Sequence, residues 1–268
     1  MSKKRILFVT QEMGPYTILG EISTMMKSLP KKVQESGYEI RVLMPKFGTI
    51  NERRHKLHEV VRLSGMNIIV DDDDFPLIIK VASYPGARMQ VYFLDNEEFF
   101  SRKHVFTDAK GKEFDDNLER MVFFCKGAIE TVKKFGWSPD IVSCHGWFTS
   151  LIPQYIRTVY QHEPIFEHSK LLYTAFGDEP HMTDIEKFNR VAAINDLDTE
   201  KLAAYIHEDM IKLERGAILS SDLVVKGTES LEEATEDAIG DRPTVDFVPM
   251  PEAQSEYLDF YSTILTDD

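Results

Sequence analysis

Ile6-Leu7-Phe8-Val9 is an unbroken apolar run that Thr10 extends to strand length, lying between a basic start and a loop with Gly14-Pro15. A run without alternation reads as a strand buried on both faces, which is the environment of a parallel sheet covered by helices. The next segments fit that environment. A helical stretch from about Glu21 to Ser36 carries Met25, Met26, Leu29 and Val33 on one stripe. Pro30 inside it predicts a kink, and Gly37 reads as its C-terminal cap. Glu39-Ile40-Arg41-Val42-Leu43-Met44 is a second strand, stopped by Pro45. Strand, loop, helix and strand in this order form the doubly wound unit.

The alternation continues after an interlude. Leu57 to Leu63, Met66 to Val70, Pro76 to Ala82 and Met89 to Leu94 read as successive strands with short polar turns. Asp71-Asp72-Asp73-Asp74 reads as a solvated hairpin tip, with a calcium site as the alternative; the run lacks the Gly and distal Glu of a helix–loop–helix calcium loop. Phe114 to Phe135 is a helix with Met121, Phe124, Cys125, Ala128, Ile129 and Val132 on one face, Asp115 or Asp116 as its cap and Gly136 at its end. Strands at Asp140 to His145, Lys170 to Ala175 and Ser221 to Val225 alternate with helices at Thr149 to Tyr160 and Leu202 to Leu219. Residues 177–200 read as a long irregular connection. Helices at Ser230 to Ile239 and Glu252 to Leu265 close the chain. The fold class predicted is α/β: a single three-layer Rossmann-like domain with a mostly parallel sheet.

Composition narrows the function. The 268 residues carry 45 acidic and 31 basic side chains, a formal net charge of −14, which argues against a nucleic-acid partner that must be bound by phosphate neutralisation. Two cysteines, Cys125 and Cys144, exclude a disulfide framework and a four-cysteine zinc site, and suit a cytoplasmic chain. No apolar run reaches the roughly 18 residues of a membrane span. The remaining histidines (His55, His58, His104, His162, His168, His181, His207) show no metal-ligand spacing, so neither a metal nor a cofactor is expected.

Ligands of such sheets bind outside the carboxyl ends of the strands, which points to the loops after Thr10, Cys144 and Thr174. The first contains Glu12, Gly14, Tyr16 and Gly20, without a dinucleotide fingerprint or a P-loop lysine. In the second, His145 and Trp147 could hydrogen-bond and stack a sugar ring; the alternative is a tryptophan packed under the next helix, with the histidine bonded to backbone. Cys144 and His145 point to opposite faces and are not a nucleophilic pair. Asp115-Asp116 read as an acid–base pair or, more simply, as caps.

These loops carry a family resemblance. Ile6-Leu7-Phe8-Val9-Thr10-Gln11-Glu12 with Pro15 and Leu19-Gly20-Glu21-Ile22, then Met44-Pro45-Lys46-Phe47-Gly48, form a first block. Tyr92-Phe93-Leu94-Asp95-Asn96, Phe99-Phe100-Ser101-Arg102 and Asp116-Asn117-Leu118-Glu119-Arg120 form a second. Pro139-Asp140-Ile141-Val142 with His145-Gly146-Trp147-Phe148-Thr149 form a third, and Met210-Ile211-Lys212 with Ser221-Asp222-Leu223-Val224-Val225 a fourth. In this order the blocks resemble the N-terminal half of bacterial glycogen synthases and plant starch synthases, retaining glucosyltransferases of glycosyltransferase family five, over about residues 5 to 235. The resemblance implies the N-terminal half of a GT-B fold, a body over residues 1–250, and a helix over 251–268 that returns to pack on it. The binding residues it suggests for a glucan or maltooligosaccharide are Glu12, Tyr16, Asn117, Arg120, His145 and Trp147.

Departures from the family pattern are concentrated at the chemistry. Where the family has Lys-x-Gly-Gly, this chain has Pro15-Tyr16-Thr17-Ile18; the aspartate after the following glycine is Glu21. The aspartate after the family's histidine is Gly146, and the polar residue after its tryptophan is Phe148. Phe176 stands where the family's catalytic histidine reaches the transferred glucose. The resemblance therefore implies a short form without the donor domain, a pseudoenzyme binding glucan or a partner. Two other readings stay open: a glucosyltransferase completed by a separate donor-domain chain, and a nucleotide-binding Rossmann module unrelated to sugars.

Overall fold

The computed structural model describes residues 3–250 and 253–266. Its strands are β1 (Arg5–Thr10), β2 (Glu39–Pro45), β3 (His58–Glu59), β4 (Met66–Val70), β5 (Asp73–Ser83), β6 (Gln90–Asp95), β7 (Ile141–His145), β8 (Lys170–Ala175), β9 (Ile206–His207), β10 (Met210–Ile211), β11 (Leu223–Lys226) and β12 (Thr244–Val245). The main sheet runs β12-β11-β8-β7-β1-β2-β6-β5-β3, with β4 paired to β5. From β12 to β6 every pairing is parallel. The edge formed by β5, β3 and β4 is antiparallel.

Helices α1 (Glu21–Glu35), α2 (Glu52–His55), α3 (Glu97–Phe100), α4 (Asn117–Phe135), α5 (Leu151–Arg157), α6 (Ile185–Ala192), α7 (Leu213–Leu219), α8 (Glu233–Ile239) and α9 (Ala253–Thr266) complete the chain. Alternation along β1 explains the two cores. Leu7 and Val9 face a cluster with α4, α5 and α7, while Ile6 and Phe8 face a cluster with α1 and α9. A strand sandwiched in this way must be apolar on both sides, as its sequence is. On α9, Tyr257, Tyr261 and Leu265 are buried; Tyr257 lies against Met25 of α1 with Oη 3.4 Å from Sδ. The helix predicted from Glu252 starts at Ala253 in the structure, and Glu252 lies outside the described residues, as do 251, 267 and 268.

Several local expectations are corrected. The stretch Leu57 to Leu63 holds only the short pairing of His58 and Glu59 with Lys80 and Val81. The proposed helix at Leu202 to Leu219 is a 3-10 turn over Thr199–Tyr205, a hairpin of β9 and β10, and then α7. The hairpin turn, Glu208-Asp209, has φ of 49° and 59°, a left-handed pair that helices cannot contain. Residues 177–200 include α6, whose cap Asp184 accepts from the Lys187 amide at 2.9 Å. Asp116 does not cap α4 with its side chain; its carboxylate takes the Arg102 guanidinium, Nη1 to Oδ1 at 2.6 Å. Of the four aspartates, Asp71 sits in the β4–β5 turn with φ 54° and pairs with Arg190, while Asp73 and Asp74 belong to β5.

Candidate functional site

Parallel register places Thr10, His145 and Thr174 side by side, at the carboxyl ends of β1, β7 and β8. The loops leaving these ends enclose a cleft of about 490 Å³, walled by Gln11, Glu12, Leu19, Gly20, Glu21, Ile22, Phe106, Thr107, Glu113, Asn117, Trp147, Phe176, Asp178, Glu179 and Pro180. Three of the predicted site residues, Glu12, Asn117 and Trp147, therefore meet in one cavity, and Phe176 joins them.

Each has a local reason for its position. Glu12 is buried, and Oε2 accepts from the backbone amides of Leu19 and Gly20, the latter at 3.1 Å. Its carboxylate thus folds the loop back on itself. Burial pushes the Glu12 pKa up, as does the charge of Asp178, against the lowering effect of those amides. Trp147 opens a 3-10 turn before α5, with its ring 4.8 Å from that of Phe106. Asn117 begins α4; Nδ2 donates to the Phe106 carbonyl at 2.8 Å and Oδ1 accepts from Arg120 at 2.6 Å. Its amide is fixed at both ends.

The other three predicted residues lie elsewhere. Arg120 is fully buried behind Asn117, with Nε on the Phe99 carbonyl at 2.8 Å and its guanidinium among Phe47, Phe100 and Phe114; burial pushes its pKa down to about 10. It positions Asn117 and does not line the cleft. Tyr16 is buried against Phe93 and His55, at 4.9 and 5.0 Å between ring centroids, on the α1 side of the sheet. Burial pushes its phenol up to about 12. His145 is also fully buried, Nε2 2.9 Å from Ser143 Oγ and its ring stacked on Phe8. Burial pushes it down to about 3, so it is a neutral core residue. The last position of β7 turns its side chain under α9, where Tyr261 Oη reaches Ser143 at 3.2 Å. None of Pro15, Tyr16, Thr17 and Ile18 lines the cavity; Leu19 and Gly20 do.

Sequence reasoning missed the acidic half of the cleft. Asp178 and Glu179 lie in the loop leaving β8, just after Phe176 and Gly177, and that position was the available signal. Behind them Glu214, the second residue of α7, is buried and accepts from the amides of Phe176 and Gly177, each at 2.8 Å. Glu179 in turn accepts from the Glu214 amide at 2.7 Å. Burial first, then the neighbouring carboxylates, raise Glu214 to about 8; burial raises Glu179 to about 7. Gln11 ties the loops together, accepting from the Phe148 amide at 3.1 Å and donating to Asp178 at 3.5 Å.

Gly146 lies above Gln11 with φ 83° and ψ 160°, a region open to glycine and hardly to other residues. A Cβ there would sit 2.4 Å from Gln11 Oε1 and 2.7 Å from Ile22 Cδ1. Gly146→Asp is therefore expected to cost about 3 kcal/mol or more, measured as a lower urea midpoint. An aspartate variant as stable as the native chain would contradict the geometry.

Comparisons agree with this architecture. A family model described as the starch synthase catalytic domain matches residues 5–238. The glycogen synthase of Chlorobium phaeobacteroides is 40% identical over 171 residues, covering 63% of this chain and 35% of that enzyme. The glycogen synthase of Chlorobaculum tepidum is 36% identical over 171 residues, with the same coverage of each. The chain thus spans 35% of the length of these relatives. In the catalytic domain of starch synthase IV from Arabidopsis thaliana, solved bound to ADP and acarbose, 45% of the chain superposes on 84% of this one, with a TM-score of 0.70 and 20% identity. At that identity the likeness is one of fold.

Proposed function

The chain belongs to the starch synthase catalytic-domain family, and on that premise we propose that it is the acceptor-side half of a retaining glucosyltransferase of glucan metabolism, binding glucan or maltooligosaccharide without transferring glucose by itself. The observation that carries this reading is the lining of the cleft: aromatic rings of Phe106, Trp147 and Phe176 beside Asn117 and five carboxylates, with no Lys, Arg or His among the described residues. Sugar rings suit this lining, since their C–H faces pack on aromatics and their hydroxyls donate to carboxylates.

An activated sugar nucleotide suits it poorly. Departure of a nucleoside diphosphate builds negative charge, which a transferase stabilises with preorganised donors or cations. Losing one such group costs about 3–4 kcal/mol of barrier. Here the cleft presents carboxylates, and Phe176 supplies neither a donor nor a base. The family match favours the synthase-like readings over a nucleotide-binding module unrelated to sugars. No helix among the described residues is long and apolar enough to cross a membrane, and the two buried free cysteines are compatible with the cytoplasm as the proposed compartment.

Isothermal titration is expected to show binding of maltotetraose and none of ADP-glucose. A transfer assay with glycogen and either ADP-glucose or UDP-glucose is expected to incorporate no label. Turnover by the pure chain would overturn the proposal. Turnover appearing only with a second, donor-binding protein would favour the split-enzyme reading.

A further inference from the structure

The charge of the cleft is not that of the chain. Overall there are 31 basic for 45 acidic residues, yet the lining holds Glu12, Glu21, Glu113, Asp178 and Glu179 and, among the described residues, no base. None of these five takes part in a described ion pair. Cations carried by neighbouring segments are engaged with other carboxylates: Arg102 with Asp116, Lys187 with Glu119 and Lys212 with Glu232. Glu12 and Glu179 are tied to backbone amides and Asp178 to Gln11, whereas Glu21 and Glu113 are exposed at the mouth.

Aromatic walls add a second, independent property. Phe106, Trp147 and Phe176 line the same cavity. Ring faces attract an ammonium group as well as the C–H face of a sugar. A polyol alone satisfies the rings and the hydrogen bonds but leaves the negative charges uncompensated. An ammonium on the same polyol meets all three, and its hydrogen bonds to carboxylate are roughly twice as strong as those of a neutral hydroxyl.

We infer that the cleft selects a positively charged saccharide, an oligosaccharide bearing free amino groups, over a neutral glucan. This rests on the reading of the cleft as a saccharide site and deepens it by naming the charge of the ligand. Desolvation raises the pKa values of Glu12, Asp178 and Glu179, and the charge of Asp178 raises Glu12 further. Neutral amide groups are their hydrogen-bond partners, and an ammonium in the cleft would add the direct ion pair that none of the three has among the described residues.

Titration calorimetry with three trisaccharides tests this on the native chain: the unacetylated glucosamine trimer at a pH where its amines are protonated, the fully N-acetylated trimer, and maltotriose. The amino trimer is expected to bind about tenfold or more tightly than either neutral sugar at low salt. Most of that gain should vanish at about 0.5 M NaCl. In an E113Q/D178N double variant the ratio of amino to acetylated affinity should fall towards one. Binding of maltotriose without preference for the amino trimer would overturn the inference and leave the saccharide reading standing. Spermidine binding as tightly as the amino trimer would also overturn it, because charge alone would then suffice. No binding of any of the three sugars would overturn both.

Discussion

Removing residues 251–268 is expected to lower the melting temperature by about 10 °C, because α9 closes one of the two cores. Tyr257, Tyr261 and Leu265 are at most 7% exposed, and burying each side chain is worth about 1.5–3 kcal/mol. Part of that is offset by the conformational entropy of ordering the helix, leaving about 3–5 kcal/mol. For a chain of this size each kcal/mol moves the melting temperature by about 2–4 °C. The truncation also uncovers Ser143 and His145, whose hydroxyl and ring are sealed beneath Tyr261. The division into a body over 1–250 and a returning helix over 251–268 is a proposal, and this measurement tests it: a truncated chain melting with the native one would remove its basis. Tyr261→Ala in the full chain gives a second readout, with an expected loss of about 3 kcal/mol or more from the cavity it leaves.

The elements legible in the sequence are those whose environment is uniform. β1 is apolar from Ile6 to Val9 because helices cover both of its faces, and α4 is apolar over most of its length because it is buried on nearly every side. Where a segment packs on something distant, periodicity misleads. Ile206, Met210, Leu213 and Ala217 have helical spacing, yet the chain doubles back between them. Tyr205 lies on α7 so closely that a Cβ at Gly216 would be 2.2 Å from its ring, a contact visible only after folding. The helix read over about Glu21 to Ser36 is present as α1, Glu21 to Glu35, with Pro30 inside it.

At the site, the edge of the sheet was legible and the direction of the side chains was not. Glu12, Asn117 and Trp147 reach the cleft. Arg120 lies on the same face of α4 as Asn117 but one layer deeper, bonded to its amide, and His145 at the end of β7 points into the core beneath α9. His145 looked available while the element covering it lay more than a hundred residues further along the chain. The carboxylates of the β8 loop were hidden for another reason. Asp178 and Glu179 read as ordinary polar loop residues until Glu214, from a different helix, is brought beneath them.

That carboxylate stack sets the second large effect, an acid-shifted stability optimum. Glu214 is raised from 4.5 to about 8 and Glu179 to about 7, by burial before any other cause. A folded pKa above the ordinary value means that the folded chain holds the proton more tightly. The stability these groups contribute is therefore fully present below about pH 4.5 and lost as the pH rises through about 7 and then about 8. His145 acts with the opposite sign. Its pKa falls from 6.5 to about 3, so its contribution is present above 6.5 and lost as the pH falls towards 3. Each group changes stability by about 1.4 kcal/mol per pH unit inside its window. Between 4.5 and 6.5 two glutamates outweigh one histidine, and above 6.5 the glutamates act unopposed. Raising the pH from about 5 to about 8 should thus cost about 3 kcal/mol or more, read as a falling urea midpoint. Glu214→Gln weakens the hold on Phe176 and Gly177 at every pH, but it removes one titrating group, so its midpoint should fall less steeply over the same range. A native midpoint that rises from pH 5 to 8, or a glutamine variant with an unchanged slope, would show that the buried carboxylates are not what the folded chain protonates.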